Sequence, residues 1–118
     1  MPPPVVRLRV EHRGDVAIAG FVDRKLYFQE EIDQIADEMT AMIAAGPVKK
    51  LVLDLTGVEY LASAAFGMLV KVKKRIGALG GTMRLANCSA DLLEVFKLTR
   101  LDLVFPIDPD VPAALAAS

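Results

Sequence analysis

Apolar and polar positions change their period repeatedly along the chain. Val6, Leu8 and Val10 alternate with Arg7 and Arg9, the period-2 pattern of a strand with one wet face. Residues 11–15 read as a turn, with Gly14 supplying backbone freedom, and residues 16–21 as a second strand, so a short antiparallel hairpin is predicted. From 28 to 45 the period lengthens. Phe28, Ile32, Ile35, Ala36, Met39 and Ile43 recur at spacings of three and four, one stripe of a helix, while Glu30, Glu31, Asp33, Asp37 and Glu38 cover its other face. Gly46 and Pro47 end that helix, because glycine suits a left-handed cap and proline cannot continue the ladder.

The run 51–55 is almost continuously apolar and lies between two helical patterns, as a central parallel strand covered on its faces should. A second helix is predicted over 64–78, with Ala65, Leu69, Val72 and Ile76 on one stripe and Lys71, Lys74 and Arg75 on another. Gly80 and Gly81 stop it. Residues 83–86 form a fourth strand. Asn87 or Ser89 caps a third helix reaching about Thr99, with Asp91 and Glu94 near its positive end and Lys97 and Arg100 near its negative end. Residues 101–107 return to the sheet, and the Ala-rich stretch beyond Pro112 has helical potential. The predicted class is a single α/β domain with a mixed sheet, antiparallel at its first strand and then parallel βαβ units with helices packed on it. The expected boundaries are a disordered segment 1–4, a domain over 5–108, and a short tail or helix over 109–118.

Composition narrows the functions. With 118 residues, 53% of them hydrophobic and 25% charged, the chain has material for one core and no disorder signature. A net charge of -1 argues against a general nucleic-acid binder. Mean hydropathy is +0.39, yet the longest uncharged stretch, residues 60–70, falls well short of the roughly 20 residues of a span. Met-Pro-Pro-Pro at the start has no secretory character, so a cytoplasmic location is expected. His12 and Cys88 are the sole histidine and cysteine, which removes disulfide frameworks, Cys-rich zinc sites and most triad chemistry. No catalytic constellation, metal or cofactor is expected.

Open α/β sheets carry their sites at the carboxyl ends of strands, which points to residues 56–67. That segment carries a resemblance. Leu53-Asp-Leu-Thr-Gly-Val-Glu-Tyr-Leu61 followed by Ala62-Ser-Ala-Ala-Phe-Gly67 resembles the signature of STAS domains, in particular the bacterial anti-sigma factor antagonists. The similarity continues through Lys73-Lys-Arg-Ile, Gly80-Gly, Leu85-Ala-Asn and Phe96-Lys-Leu-Thr-Arg-Leu-Asp102. It implies a regulatory binding module, not an enzyme. The partner it implies is an anti-sigma factor or serine kinase of the histidine-kinase-like ATPase type, which phosphorylates a hydroxyl between the central strand and its helix. The family's Asp falls on Ala62, its first hydroxyl on Ser63, its second and usual phosphoacceptor on Ala64, and its Gly on Ala65. Ser63 is therefore the phosphorylation candidate, in a motif that has lost the usual acceptor.

Two readings of each feature stand side by side. Ser63 is either the phosphoacceptor or an N-cap for a helix that begins at Ala64. Lys71, Lys74 and Arg75 either steer an acidic partner or form the wet face of their helix. Phe66 and Met68 lie about 200° apart on a helix, so one of them is expected to be an exposed apolar contact. The predicted partner-binding set is Ala62, Ser63, Ala64, Phe66, Met68, Lys71, Lys74 and Arg75, on a monomer or weak dimer. The competing class is a non-switching STAS scaffold or accessory subunit of a stress-signalling or membrane transport complex, which the alanine at position 64 suits.

Overall fold

The computed structural model describes residues 7–46 and 48–117. The expectations placed on segment 1–4, Val6 and Pro47 lie outside the described residues. In chain order the elements are β1 (Leu8–Arg13), β2 (Val16–Phe21), β3 (Lys25–Leu26), α1 (Gln29–Ala44), β4 (Lys50–Asp54), β5 (Tyr60–Leu61), α2 (Ser63–Ala78), β6 (Thr82–Ala86), α3 (Ala90–Leu98), a 3-10 turn (Leu101–Leu103), β7 (Ile107–Asp108) and α4 (Val111–Ala116).

The main sheet has the order β1-β2-β4-β6-β7, with β1 antiparallel to β2 and every other neighbouring pair parallel. The mixed α/β sheet expected from the sequence is thus the observed one. The hairpin differs in one detail. Arg13 pairs with Val16, so the loop is only Gly14 and Asp15, with Gly14 at φ +64, and the strand runs through Glu11-His12-Arg13. An edge strand is held by backbone pairing, so polar side chains do not end it. Val10, read as facing inward, is 39% exposed, because it lies with Leu8 and His12 in a hollow beside Ala41 and Met42 that α1 does not close.

Alternation assigns the faces. Ala17, Ala19, Leu51, Leu53, Met83 and Leu85 point to the large core beneath α1, α2 and α3, which also holds Phe96 and Phe105. Ile18, Val52 and Ala86 point the other way, where Ala114 of α4 covers them. Helix α4 is tied down by the Asp110 side chain, which accepts from the Ala113 N–H at 2.8 Å, and by Lys50, whose Nζ donates to the carbonyls of Leu115 and Ala117. Below it, Arg84 on β6 makes a two-point pair with Asp108 on β7 at 2.6 and 3.0 Å.

The short parallel pair β3–β5 had no period to announce it, since a two-residue strand shows no alternation. Phe28, read as the first residue of the α1 stripe, is instead its N-cap and is 65% exposed. After α2, Gly80 takes φ +81 as the chain turns, and a Cβ on Gly81 would sit 2.8 Å from both Ile76 Cγ2 and the Val48 carbonyl. Of the two candidate caps for α3, Ser89 does the capping, its Oγ accepting from Leu92 N–H at 3.2 Å.

Candidate functional site

The segment from Asp54 to α2 is built around one carboxylate. Asp54 Oδ1 accepts from the Thr56 N–H at 3.0 Å, the Thr56 hydroxyl at 2.6 Å and the Asn87 amide at 3.0 Å. Burial works to raise the Asp54 pKa, but the hydrogen bonds from Thr56 and Asn87 outweigh it and hold the group below the ordinary carboxylate range. Asn87 takes φ 56, and its side chain joins the end of β6 to the end of β4. Gly57, at φ +81, then turns the chain through Val58 into β5, whose Leu61 is buried. The Ala62 N–H donates to the Leu26 carbonyl at 2.9 Å, fixing where α2 starts.

Helix α2 starts at Ser63, one residue earlier than the spacing predicted, and its N-cap is Ala62, with no side-chain cap. This corrects the capping reading of Ser63: a residue inside the first turn is past the position from which a hydroxyl reaches the N2 or N3 amide. Ser63 and Ala64 are exposed, Ala62 half-buried, and the Ser63 hydroxyl makes no hydrogen bond among the described residues. The Ser63 and Ala64 N–H groups have no helical acceptor behind them, while the Ala65 N–H bonds back to the Ala62 carbonyl at 2.8 Å.

The other predicted contacts divide. Met68 is buried, 6% exposed, which corrects its reading as a candidate exposed anchor; it lies in the wall of a groove between α1 and α2. Phe66 is half-buried, edge-on to Phe96 with ring centroids 5.2 Å apart. Lys71, Lys74 and Arg75 are all exposed, and Lys71 and Arg75 line the groove. The exposed apolar surface at the β3–β5 end of α2 comes from two tyrosines that periodicity did not single out and from Phe28, which it had placed on the α1 stripe. Tyr27, Phe28 and Tyr60 are 50%, 65% and 44% exposed, with the Tyr27 and Tyr60 rings tilted against each other at 4.7 Å. The β3–β5 pairing that brings Tyr27 to Tyr60 was not visible in the sequence.

Cys88 is half-buried, and burial pushes its thiol up to about 11. No group of three or more His, Cys, Asp or Glu among the described residues is placed to hold a metal ion, and no helix among them is long and apolar enough to cross a membrane.

The fold is shared with known proteins. A protein of Bordetella bronchiseptica named as an anti-sigma factor antagonist, BtrV, is 28% identical over 85 residues, 72% of each chain. The solved structure of an anti-sigma-factor antagonist (STAS) domain protein from Planctomyces limnophilus superposes with a TM-score of 0.82 at 30% identity, covering 95% of this chain and 97% of that one. At the level of fold alone, the Bacillus cell fate determinant SpoIIAA in its phosphorylated form matches with a TM-score of 0.66 at 16% identity, over 86% of this chain and 91% of that one. The STAS domain family model covers residues 7–114, the whole of the sheet and its helices up to the middle of α4, and the chain therefore belongs to the STAS domain family.

Proposed function

We propose that this chain is a cytoplasmic anti-sigma factor antagonist that docks an anti-sigma serine kinase of the histidine-kinase-like ATPase type through the Ser63 turn and the exposed side of α2. The observation that carries this reading is the state of Ser63: an exposed, uncapped hydroxyl in the first turn of a 16-residue helix, beside amides that lack helical acceptors. A phosphate of about -2 charge is electrostatically tolerated there by the chain that carries it. Its cost falls on the partner, because bulk and charge in the middle of a packed interface must be desolvated. The binding surface joins Ala62, Ser63, Ala64 and the exposed part of Phe66 to the Lys71, Lys74 and Arg75 stripe, which accelerates association with an acidic partner.

One observation favours the non-switching scaffold as a second reading. The position that matches the family's usual phosphoacceptor, Ala64, is exposed like Ser63 but has no side-chain oxygen to modify.

The kinase that copurifies with this chain decides between them. Incubated with that kinase and ATP, the wild-type chain takes up phosphate at Ser63, and Ser63→Ala takes up none. Ser63→Asp weakens kinase binding by about tenfold or more. Because the hydroxyl caps nothing, Ser63→Ala keeps the wild-type stability to within about 0.5 kcal/mol. Labelling elsewhere or none at all, together with unchanged affinity for Ser63→Asp, establishes the scaffold.

A further inference from the structure

Two unpartnered surfaces of this molecule complement each other. The first is the groove between α1 and α2, of about 520 Å³. Ile43 and Ala44 border the same hollow as Arg75, Ala78 and Leu79, so the two helices lie side by side with their C-terminal ends together. Ile32, Ala36, Met68 and Val72 give the groove its apolar lining. Its rims are charged and polarised: Glu30 and Asp33 stand exposed in the first half of α1, and Lys71, Lys74 and Arg75 in the second half of α2. No ion pair among the described residues joins the two rims, and Asp33 bonds only to Gln29 of its own helix. The groove is thus negative toward the helix N-termini and positive toward their C-termini.

Gly67 also borders this groove, in mid-helix, and a Cβ built on it meets nothing within 4 Å. Nothing inside the chain requires glycine there, although glycine weakens a helix interior. What a bare position does permit is the close approach of another backbone.

The second surface is the outer side of α3 and the turn after it. Leu98 and Leu103 are each 77% exposed, with Val95 and Val104 at 37% and 38%. Asp91 and Glu94 lie toward the start of this ridge, and Lys97 and Arg100 at its end. The ridge is an amphipathic helix of nine residues, acidic first and basic last, about 14 Å long. The groove runs about 16 Å along α2, from Ala64 to Arg75.

We propose that α3 of one copy seats in the α1/α2 groove of the next, antiparallel to both helices, giving head-to-tail self-association. Antiparallel seating lays Asp91 and Glu94 over Lys71, Lys74 and Arg75, and Lys97 and Arg100 over Glu30 and Asp33. Charge polarity selects this arrangement over a closed twofold dimer. Helices α2 and α3 each lead from one parallel strand to the next, so they run in the same direction. A twofold axis along the groove would therefore bring α3 in parallel, acid upon acid. A heterologous contact extends copy by copy and does not stop at two. The contact is small, so association is weak and concentration-dependent. It also covers Lys71, Lys74 and Arg75, so it competes with the docking proposed above without depending on Ser63.

Sedimentation velocity on the wild-type chain over a concentration series tests this. The average mass rises past that of a dimer. Leu98→Asp removes the ridge and Gly67→Leu fills the groove, and each alone holds the chain as a monomer. Gly67→Leu also raises the melting temperature by about 4 °C, which shows that it is folded. Mixed one to one, the two variants form a dimer, because one intact ridge meets one intact groove. Lys71→Glu with Arg75→Glu weakens association about tenfold or more, and Asp91→Lys with Glu94→Lys in the mixing partner restores it. Ser63→Ala leaves association unchanged, so failure of the phosphoswitch and failure of this contact are separate results. A wild-type chain that stays monomeric at every concentration, or that stops at a dimer, overturns the proposal. So does growth that Leu98→Asp and Gly67→Leu do not alter.

Discussion

At the scale of single residues, the local environment decides which chemical groups are available. Ser63 and Cys88 are both small and both lie at junctions between a strand and a helix, but Ser63 is exposed while Cys88 is half-buried. With its thiol pushed up to about 11, Cys88 carries only about one thiolate in ten thousand at pH 7. Iodoacetamide is expected to label Cys88 in the native chain at least tenfold more slowly than in the chain unfolded in guanidinium, and equal rates would show that burial does not control this thiol. The sequence revealed Ser63 because its neighbours formed a motif. It did not reveal which side chains around Ser63 are exposed, since Met68 and Phe66 sit on a helix whose rotation is set by the packing of Ala65, Leu69 and Phe96. Tyr27 and Phe28 were missed for a related reason: their exposure depends on a partner strand 35 residues further on, Lys25 pairing with Tyr60.

At the scale of elements, helix stripes and buried strands were legible almost to the residue, and helix ends were less so. The period fixed α1 and α2 because each buries five residues on one stripe. The ends are set by backbone geometry that the stripe does not encode. Helix α3 shows this. It stops at Leu98, and Arg100, two residues on, takes φ 60, a conformation that usually falls to glycine. A Cβ in the left-handed region costs about 1–2 kcal/mol, and the greater freedom of glycine in the unfolded chain returns part of that. Arg100→Gly is therefore expected to stabilise the domain by about 0.5–1 kcal/mol in urea unfolding, despite the loss of a cation near the helix terminus. A loss of stability would mean that the Arg100 charge outweighs its backbone strain.

For the whole molecule, the carboxylates that join elements decide how it responds to acid. Asp54 ties the end of β4 to Asn87, and Asp108 ties β7 to β6. The hydrogen bond from Arg84 holds the Asp108 pKa below its ordinary value against the effect of burial, with the Arg84 and Lys50 charges adding to it. A group whose folded pKa is depressed stabilises fully above its unfolded value of about 4, and that stabilisation is lost as pH falls through the folded value. Stability should thus be flat near neutrality and fall below about pH 4. Asp108→Asn should cost about 1 kcal/mol at pH 7 and make the acid loss shallower, as read from urea midpoints between pH 7 and pH 3. Parallel curves for the variant and the wild type would remove Asp108 from the acid response. The sheet order was legible from alternating strand and helix patterns, but these cross-strand ties were not, because Arg84 and Asp108 are 24 residues apart and nothing local links them.

Helix α4 has a consequence for how the chain is made. It follows every described strand in sequence, yet among the described residues it is the element packed over Ile18, Val52 and Ala86 on the second face of the sheet. During synthesis all five strands of the main sheet leave the ribosome before this cover does, so a growing chain presents a sheet with one apolar face open to solvent. The clamp by Lys50 closes that face only once residues 115–117 have emerged. The order of synthesis thus leaves β2, β4 and β6 open to chaperones, or to a neighbouring nascent chain, until the last turn of α4 is in place.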